Sequence, residues 1–108
     1  MAMTDNLEKL LKDGADSARL RFGLGSAYFN RRQFLEAIPH LQACIAMDPN
    51  YTAAYKLLGK ALLKTGDSVA AKVIFELGLP IAIASGDKQA EREISAFSLK
   101  LSRDETQP

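Results

Sequence analysis

The stretch LGSAYFNRRQFLEAIPHL, residues 24–41, is followed 34 residues later by LGKALLKTGDSVAAKVIF, residues 58–75. Aligned without a gap, the two stretches share Leu-Gly at their start and two alanines further on, and Leu41 meets Phe75 at their end. Within each copy, apolar residues recur every three or four positions, which is the spacing of one face of an α-helix. A repeat of this length predicts stacked helical units, each of which buries its apolar face against a neighbour.

Turn signals divide each copy into two helices. The apolar pattern breaks at residues 32–33 in the first copy and at residues 66–67 in the second. Gly66 can take the left-handed conformation that ends a helix, and Pro49 closes the first copy because the residue before a proline is pushed out of the helical region. The sequence therefore predicts two helix–turn–helix repeats, over residues 18–51 and 52–85.

The N-terminal flank continues the repeat backwards. Three of its residues stand 34 positions before the apolar residues of the next second helix: Leu7, Leu10 and Leu11. Asp5 and Glu8 match the capping box of a helix start, and Gly14 suits a helix end. A half-repeat helix is predicted over residues 4–13.

The C-terminal flank predicts a closing helix. The turn at residues 85–87 ends one helix and supplies a new N-cap, and the apolar residues after it form a single stripe: Ala90, Ile94, Phe97 and Leu101. The predicted capping helix covers residues 87–102, and a frayed tail is expected over 103–108. The whole chain, 1–108, is then one domain of about six helices.

The composition fits one small domain that is held by apolar burial. The chain has 108 residues, of which 47% are apolar and 25% charged, with a formal net charge of +1 and a single cysteine. Such an apolar fraction excludes a disordered chain, and one cysteine excludes an internal disulfide. The near-balanced charge gives no general attraction for nucleic acid or anionic lipid. With no secretory signal and no apolar stretch near the ~20 residues that span a bilayer, we expect a cytoplasmic protein without a membrane segment.

The motif residues of the two copies resemble the tetratricopeptide repeat over residues 18–85. This resemblance implies an all-α fold, a helical-hairpin solenoid of about six antiparallel helices in a right-handed stack. It also implies a role in repeat packing for ten residues: Leu24, Gly25, Tyr28, Ala37, Leu41, Leu58, Gly59, Leu62, Ala71 and Phe75. The two glycines would let the helices of a repeat approach closely, with small partners at Ala37 and Ala71.

Three positions depart from the family pattern. Arg21 stands where the family has a large aromatic residue, which Tyr55 retains in the second repeat. Pro80 falls inside a predicted helix, so we expect a kink near residues 76–80. Pro39 falls near the first turn of its helix, where a missing backbone donor matters less.

Residue types that could support catalysis are sparse. The sequence has no phosphate-binding loop, nucleophile elbow or metal motif. His40, Cys44 and Asp48 fall four residues apart and could in principle hold a metal or a Cys–His pair. However, Cys44 occupies the small core position of the repeat, His40 is expected near solvent, and no other histidine or cysteine could complete a ligand set. We expect no enzyme activity and no cofactor or metal.

By the resemblance, the first helix of each repeat lines a concave groove. The candidate peptide-binding residues are Arg19, Phe22, Ser26, Phe29, Asn30, Lys56, Leu57, Lys60 and Lys64. Because the three lysines are four residues apart, they form one basic ridge. This ridge is either a solvated helix face without a ligand or a site for an acidic peptide. The two phenylalanines are either apolar anchors for that peptide or partly covered by the N-terminal helix.

The leading hypothesis is a non-catalytic protein–protein interaction module that binds a peptide or partner protein, acidic in character, in the groove. The alternative is a self-associating scaffold, present as a monomer or weak homodimer, because a short stack leaves open ends. Nucleic-acid binding through the lysine ridge has less support, since the net charge is small and aromatic residues do not alternate with basic ones. The carboxylate clamp of chaperone-binding family members is not expected, because its positions hold Phe22, Ser26 and Leu57.

Overall fold

Apolar periodicity and turn residues produce six helices in residues 3–106, the part of the chain that the computed structural model describes. The helices are α1 (Met3–Lys12), α2 (Ala18–Asn30), α3 (Phe34–Met47), α4 (Thr52–Lys64), α5 (Ser68–Ser85) and α6 (Lys88–Thr106). No strand occurs in residues 3–106. The all-α class that the periodicity predicts is therefore confirmed.

The helices form hairpins in two layers. Helix α2 pairs with α3, α4 pairs with α5, and α6 packs on the second hairpin. Helices α2, α4 and α6 contact one another in turn, whereas no Cα atoms of α3 and α5 approach within 8 Å among the described residues. We call the closely spaced row of α2, α4 and α6 the concave side, and the widely spaced α3 and α5 the convex side. The thinnest dimension, 19 Å, matches two layers of helices about 10 Å across.

The core lies between the hairpins and contains most of the motif residues. All ten motif residues are buried except Tyr28, which is half-buried. The largest fully buried side chains are Phe75, Leu24, Leu41, Leu58, Ile94 and Cys44. Residues of α6 complete this core, so the capping helix covers apolar surface that the second hairpin leaves open.

Two glycines determine how closely the helices of each hairpin approach. A Cβ atom at Gly25 would lie 2.6 Å from the Leu41 side chain, and a Cβ at Gly59 would overlap the Phe75 ring. A Cβ atom could not be accommodated at either position without a shift of the neighbouring side chain. Each glycine therefore makes room for the large residue on the facing helix. The close approach therefore pairs a glycine with a large apolar side chain in both repeats.

Helix α5 runs without interruption past Pro80. Pro80 is exposed, while the buried side of the same segment is occupied by Gly78. A Cβ at Gly78 would lie 2.6 Å from Cβ of Tyr55, so this glycine admits the aromatic side chain of α4. The helix is thus continuous through residues 76–80, and a kink there stays a prediction. Pro39 falls in the second turn of α3, one turn later than expected.

By length and composition alone, α5 could cross a bilayer, with a mean hydropathy of 1.6 over 18 residues. The sequence analysis expected no apolar stretch close to 20 residues. Apolar residues nevertheless predominate on both sides of Glu76, over the whole 18 residues of α5. In the fold, α5 is the second helix of a hairpin and packs against α4 and α6. Its buried residues are Ala71, Phe75, Gly78 and Ala82.

Each repeat ties its first helix to the loop before it. The Tyr55 hydroxyl donates a hydrogen bond of 2.7 Å to the backbone carbonyl of Pro49. At the equivalent position of the first repeat, Arg21 donates two hydrogen bonds, of 2.9 and 3.0 Å, to the Asp16 carboxylate. The departure at Arg21 therefore keeps the connection but replaces a hydroxyl with a bidentate ion pair.

Both chain ends differ from the predicted bounds. Asp5 lies within the first turn of α1 and is not an N-cap, so the predicted capping box is wrong. Helix α6 continues to Thr106, four residues beyond the predicted end at residue 102, and fraying of the tail stays a prediction. The helix extends because no glycine or proline interrupts the sequence before Pro108. Residues 107–108 of the predicted tail lie outside the described residues.

Polar contacts hold α1 against the first hairpin. The Tyr28 hydroxyl donates to the Glu8 carboxylate at 3.1 Å, and Arg31 donates to the hydroxyl of buried Thr4 at 2.9 Å. Nε2 of His40 lies 3.8 Å from the other oxygen of Glu8. The His40 ring also stacks on Tyr28, with ring centroids 5.6 Å apart.

The expectation that His40 lies near solvent is wrong. Its side chain is only 14% exposed, because Glu8 of α1 and Tyr28 of α2 cover it. Burial lowers the pKa of His40, as does the Arg21 guanidinium, which lies 3.2 Å from Nδ1. The carboxylates of Glu8 and Asp16 oppose this shift but do not outweigh the burial. The folded chain therefore favours the neutral imidazole.

We expect Gly25→Ala and Gly59→Ala each to lower the free energy of unfolding by about 1–3 kcal/mol, the usual cost of overpacking. Gly23→Ala is the matched control in α2, because its Cβ would meet only Leu7 Cδ1 at 3.5 Å. This control should be neutral or stabilise by up to about 1 kcal/mol through helix propensity. Urea unfolding followed by circular dichroism measures all three variants. Equal effects at Gly23 and Gly25 would contradict the close approach.

The lowered pKa of His40, the one histidine of the chain, predicts a pH dependence of stability. The free energy of unfolding should change little just above the ordinary histidine pKa of 6.5 and should fall as the pH drops below it, since protonation of His40 is less favourable in the fold than in the unfolded chain. His40→Gln keeps a neutral polar group at this position and should remove the dependence between about pH 7 and pH 5. Urea unfolding at stepped pH measures both chains. A slope that persists in the variant would assign the effect to other groups.

Candidate functional site

The predicted groove residues lie on α2 and α4, and all nine reach the surface. Arg19, Asn30 and Lys64 are exposed. The other six are half-buried: Phe22, Ser26, Phe29, Lys56, Leu57 and Lys60. The three exposed residues lie near the ends of their helices. Their role in binding stays a prediction.

The two phenylalanines of the groove are fixed by aromatic neighbours. The Phe22 ring lies against Tyr51, with centroids 5.0 Å apart, and Phe29 meets the edge of Phe34 at the same distance. These neighbours come from the α3–α4 connection and from the start of α3. Each phenylalanine is therefore a rigid apolar surface that keeps some exposure, which suits an anchor for a ligand.

The three lysines of the ridge differ in their surroundings. Nζ of Lys56 lies 3.0 Å from a carboxylate oxygen of Glu93 on α6, and the side chain is only 25% exposed. Nζ of Lys60 lies over the Phe29 ring, 5.5 Å from its centroid. Among the described side chains of residues 4–103, neither Lys60 nor Lys64 forms an ion pair. Lys56 is thus neutralised by the fold, and the other two lysines present uncompensated charge to the groove.

A hollow of about 360 Å³ lies between α4 and α6 on the concave side. Its lining residues are Lys60, Leu63, Lys64 and Phe97. The Phe97 ring stacks on Phe75 of the core, with centroids 5.1 Å apart and planes 6° apart, so its position is fixed. Two ammonium groups at an apolar wall can accommodate a carboxylate next to an apolar side chain.

Phe97, which the sequence analysis places on the apolar stripe of α6, packs against the core and also lines this hollow. A signal for it was available, because the 34-residue interval from Phe29 to Leu63 leads on to Phe97. Glu93, which neutralises Lys56, had no such signal. It stands 37 residues from Lys56, and only the packing of α6 on α4 brings the two together.

A second hollow, of about 200 Å³, lies at the N-terminal ends of α4 and α6. Asp87 lines it and accepts hydrogen bonds from the Ala90 amide at 3.0 Å and the Thr52 hydroxyl at 2.9 Å. These two bonds lower the pKa of Asp87 and keep it ionised. Since Asp87 and Lys56 already have partners within the chain, this hollow offers less free charge than the first.

The residues considered for a metal or a nucleophile have other partners. Cys44 is fully buried, and burial raises the pKa of its thiol to about 11. The thiol is therefore protonated at neutral pH and is a weak nucleophile. His40 contacts residues of α1 and α2, as described above. Among the side chains that the structure describes, those of residues 4–103, no group of three His, Cys, Asp or Glu is placed to hold a metal ion.

Comparison with known proteins agrees with this geometry. Models of the tetratricopeptide repeat match residues 31–82 and residues 5–43. The TPR repeat-containing protein PA0015 of Pseudomonas aeruginosa is 47% identical over 104 residues, which cover 96% of this chain and 99% of that protein. The solution structure of BPP2914 from Bordetella parapertussis is 41% identical, with a TM-score of 0.81 over 96% of this chain and 90% of that one.

A more distant structure shares the fold alone. The TPR2B domain of yeast Sti1, solved in a complex with pHsp70, is 21% identical, with a TM-score of 0.82 over 94% of this chain and 81% of that one. The 34-residue repeat and the stack of hairpins agree with the match to PA0015, which covers nearly the whole of both chains. The chain belongs to the tetratricopeptide repeat family.

Proposed function

We propose that this protein is a non-catalytic interaction module whose concave groove binds an extended segment of a partner protein. The segment carries an acidic residue next to an apolar one. The observation that supports this proposal is the pair Lys60 and Lys64 beside the hollow lined by Leu63 and Phe97. No acidic side chain of the described residues neutralises either lysine, although Glu93 neutralises Lys56 one turn away.

The electrostatics of the ridge favour an anionic ligand. Like charges four residues apart on a helix repel by a few tenths of a kcal/mol, and a carboxylate between Lys60 and Lys64 would remove this repulsion. Dissolved salt screens the attraction between the lysines and an acidic ligand, since the Debye length is about 8 Å at physiological ionic strength. Charge therefore contributes recognition and orientation more than affinity.

The apolar wall provides the second part of the recognition. Burying an apolar side chain gains about 25 cal/mol per Å² of surface removed from water. Phe97 is fixed by stacking on Phe75 and Phe29 by an edge contact with Phe34, so little conformational entropy is lost when a ligand contacts them. A preorganised surface of this kind raises affinity because ordering costs are low.

The family supports a binding role in general terms. The Sti1 domain with the same fold was solved in a complex with pHsp70. Phe22, Ser26 and Leu57 stand at the positions of the carboxylate clamp, so this chain would recognise its ligand through other contacts. A protein partner and a cytoplasmic location are both part of the proposal.

We expect peptides selected from a random 12-residue display library to be enriched in Asp or Glu next to an apolar residue. Fluorescence anisotropy with the best labelled peptide should show binding that weakens as salt rises. The variant Lys60→Glu/Lys64→Glu should bind at least about tenfold more weakly, a loss of about 1.4 kcal/mol. Lys56 stays unchanged in this variant, because Lys56→Glu would face Glu93 with a second carboxylate.

Lys9→Glu/Lys12→Glu is the matched control, because it reverses two exposed lysines of α1 outside the groove. Its affinity for the same peptide should remain close to that of the unmodified protein. Equal losses in the two double variants would show that net charge, not the groove, determines binding. Selected peptides without acidic residues would contradict the proposed ligand chemistry.

A further inference from the structure

The lysine ridge of α4 faces two different kinds of side chain on α6. Lys56 meets the carboxylate of Glu93, whereas Lys60 shares the hollow of about 360 Å³ with the ring of Phe97. Each step, from Lys56 to Lys60 and from Glu93 to Phe97, is four residues, because the two helices run side by side in the same direction. The groove therefore has an acid opposite one lysine and an aromatic ring opposite the next.

The contact between Lys56 and Glu93 is close and partly shielded from water. Nζ of Lys56 donates to Oε1 of Glu93 at 3.0 Å, and the two side chains are 25% and 38% exposed. Asp87 lines the second hollow together with Lys56, but both of its carboxylate oxygens already accept hydrogen bonds. The charge of Lys56 is thus met within the chain, and Glu93 adds a carboxylate that would repel a second anion.

We propose that Glu93 is a specificity-determining residue of the groove, which limits the ligand to one acidic residue facing the ridge, bound at Lys60 and Lys64. This inference rests on the proposed function and adds to it the residue that sets the number and place of the ligand's carboxylates. A carboxylate beside Lys56 would compete with Glu93 for the same ammonium group. Specificity of this kind comes from an unfavourable contact with the wrong ligand as well as a favourable one with the right ligand.

The spacing of the ridge indicates which second acid is excluded. Successive lysines are about 6 Å apart along α4, at 1.5 Å per residue. An extended segment advances about 6.6 Å over two residues, and its alternate side chains point to the same side. With one acidic residue at Lys60 and Lys64, the residue two positions away, before or after it according to the direction of the bound chain, lies toward Lys56 and Glu93. The groove should accept a neutral residue there and disfavour Asp or Glu.

Selection from the random 12-residue display library, with the unmodified protein and with Glu93→Gln, tests this assignment. The variant keeps the length of the side chain and removes its charge, so Lys56 is released to the ligand. Peptides selected by the unmodified protein should lack a second acidic residue two positions from the first, and those selected by the variant should gain it. In fluorescence anisotropy, two labelled peptides that differ only by Asp or Asn at that second position measure the preference. Their affinity ratio should shift at least about threefold toward the two-acid peptide in the variant.

Glu91→Gln is the matched control, because it removes the same charge from the same helix. The Glu91 side chain is 35% exposed, close to the 38% of Glu93, but its partner is Lys88 at 3.8 Å, outside the ridge. This control should keep the affinity ratio of the unmodified protein. Lys56→Gln/Glu93→Gln should lose the shift, because the second acid then has no released lysine to bind. Urea unfolding followed by circular dichroism should show that all these variants are folded.

Three outcomes would overturn the inference. An unchanged ratio in folded Glu93→Gln would make the ion pair only a structural link between α4 and α6. An equal shift in Glu91→Gln, or a shift that persists in Lys56→Gln/Glu93→Gln, would assign the effect to net charge. Two-acid peptides of this spacing selected by the unmodified protein would show that Glu93 excludes nothing. In all three cases acidic peptides still bind and the proposed function stands, whereas an unmodified protein that selects no acidic peptide would overturn both.

Discussion

The close approach of two helices at a glycine is the contact on which the rest of the structure depends. Leu41 and Phe75 occupy the space where a side chain at Gly25 or Gly59 would lie. Because the two repeats use the same arrangement, their paired helices approach at equivalent positions and the hairpins stack side by side. That stacking places α2, α4 and α6 side by side, and the concave side exists because these three helices are neighbours.

The stack gives the chain two surfaces with different chemistry. The concave side combines free lysines with fixed aromatic rings, as Lys60 does with Phe29. The convex side of α5 is largely apolar. The inner side of α5 is apolar because it packs on α4 and α6. The outer side of the same helix also exposes apolar side chains, which this packing does not require.

Polar side chains fix the ends of the stack, where less apolar surface is available. Arg21 with Asp16 and Tyr55 with Pro49 secure the connections before α2 and α4. Thr52 with Asp87 joins the starts of α4 and α6. At the N-terminal end, Glu8 joins α1 to the first hairpin through Tyr28. These contacts connect neighbouring elements, which explains how so short a stack holds its terminal helices.

The sequence by itself determined the two hairpins and the flanking helices, because apolar spacing and turn residues act over only a few positions. Its resemblance to the repeat family indicated the ten motif residues. The sequence also identified Lys56, Lys60 and Lys64 as one ridge. Only the tertiary structure decided which of these lysines is free, since Glu93 reaches Lys56 through the packing of α6. Likewise, His40 is covered because α1 folds back over it. Burial and charge pairing depend on residues far apart in the chain, and local patterns do not contain them.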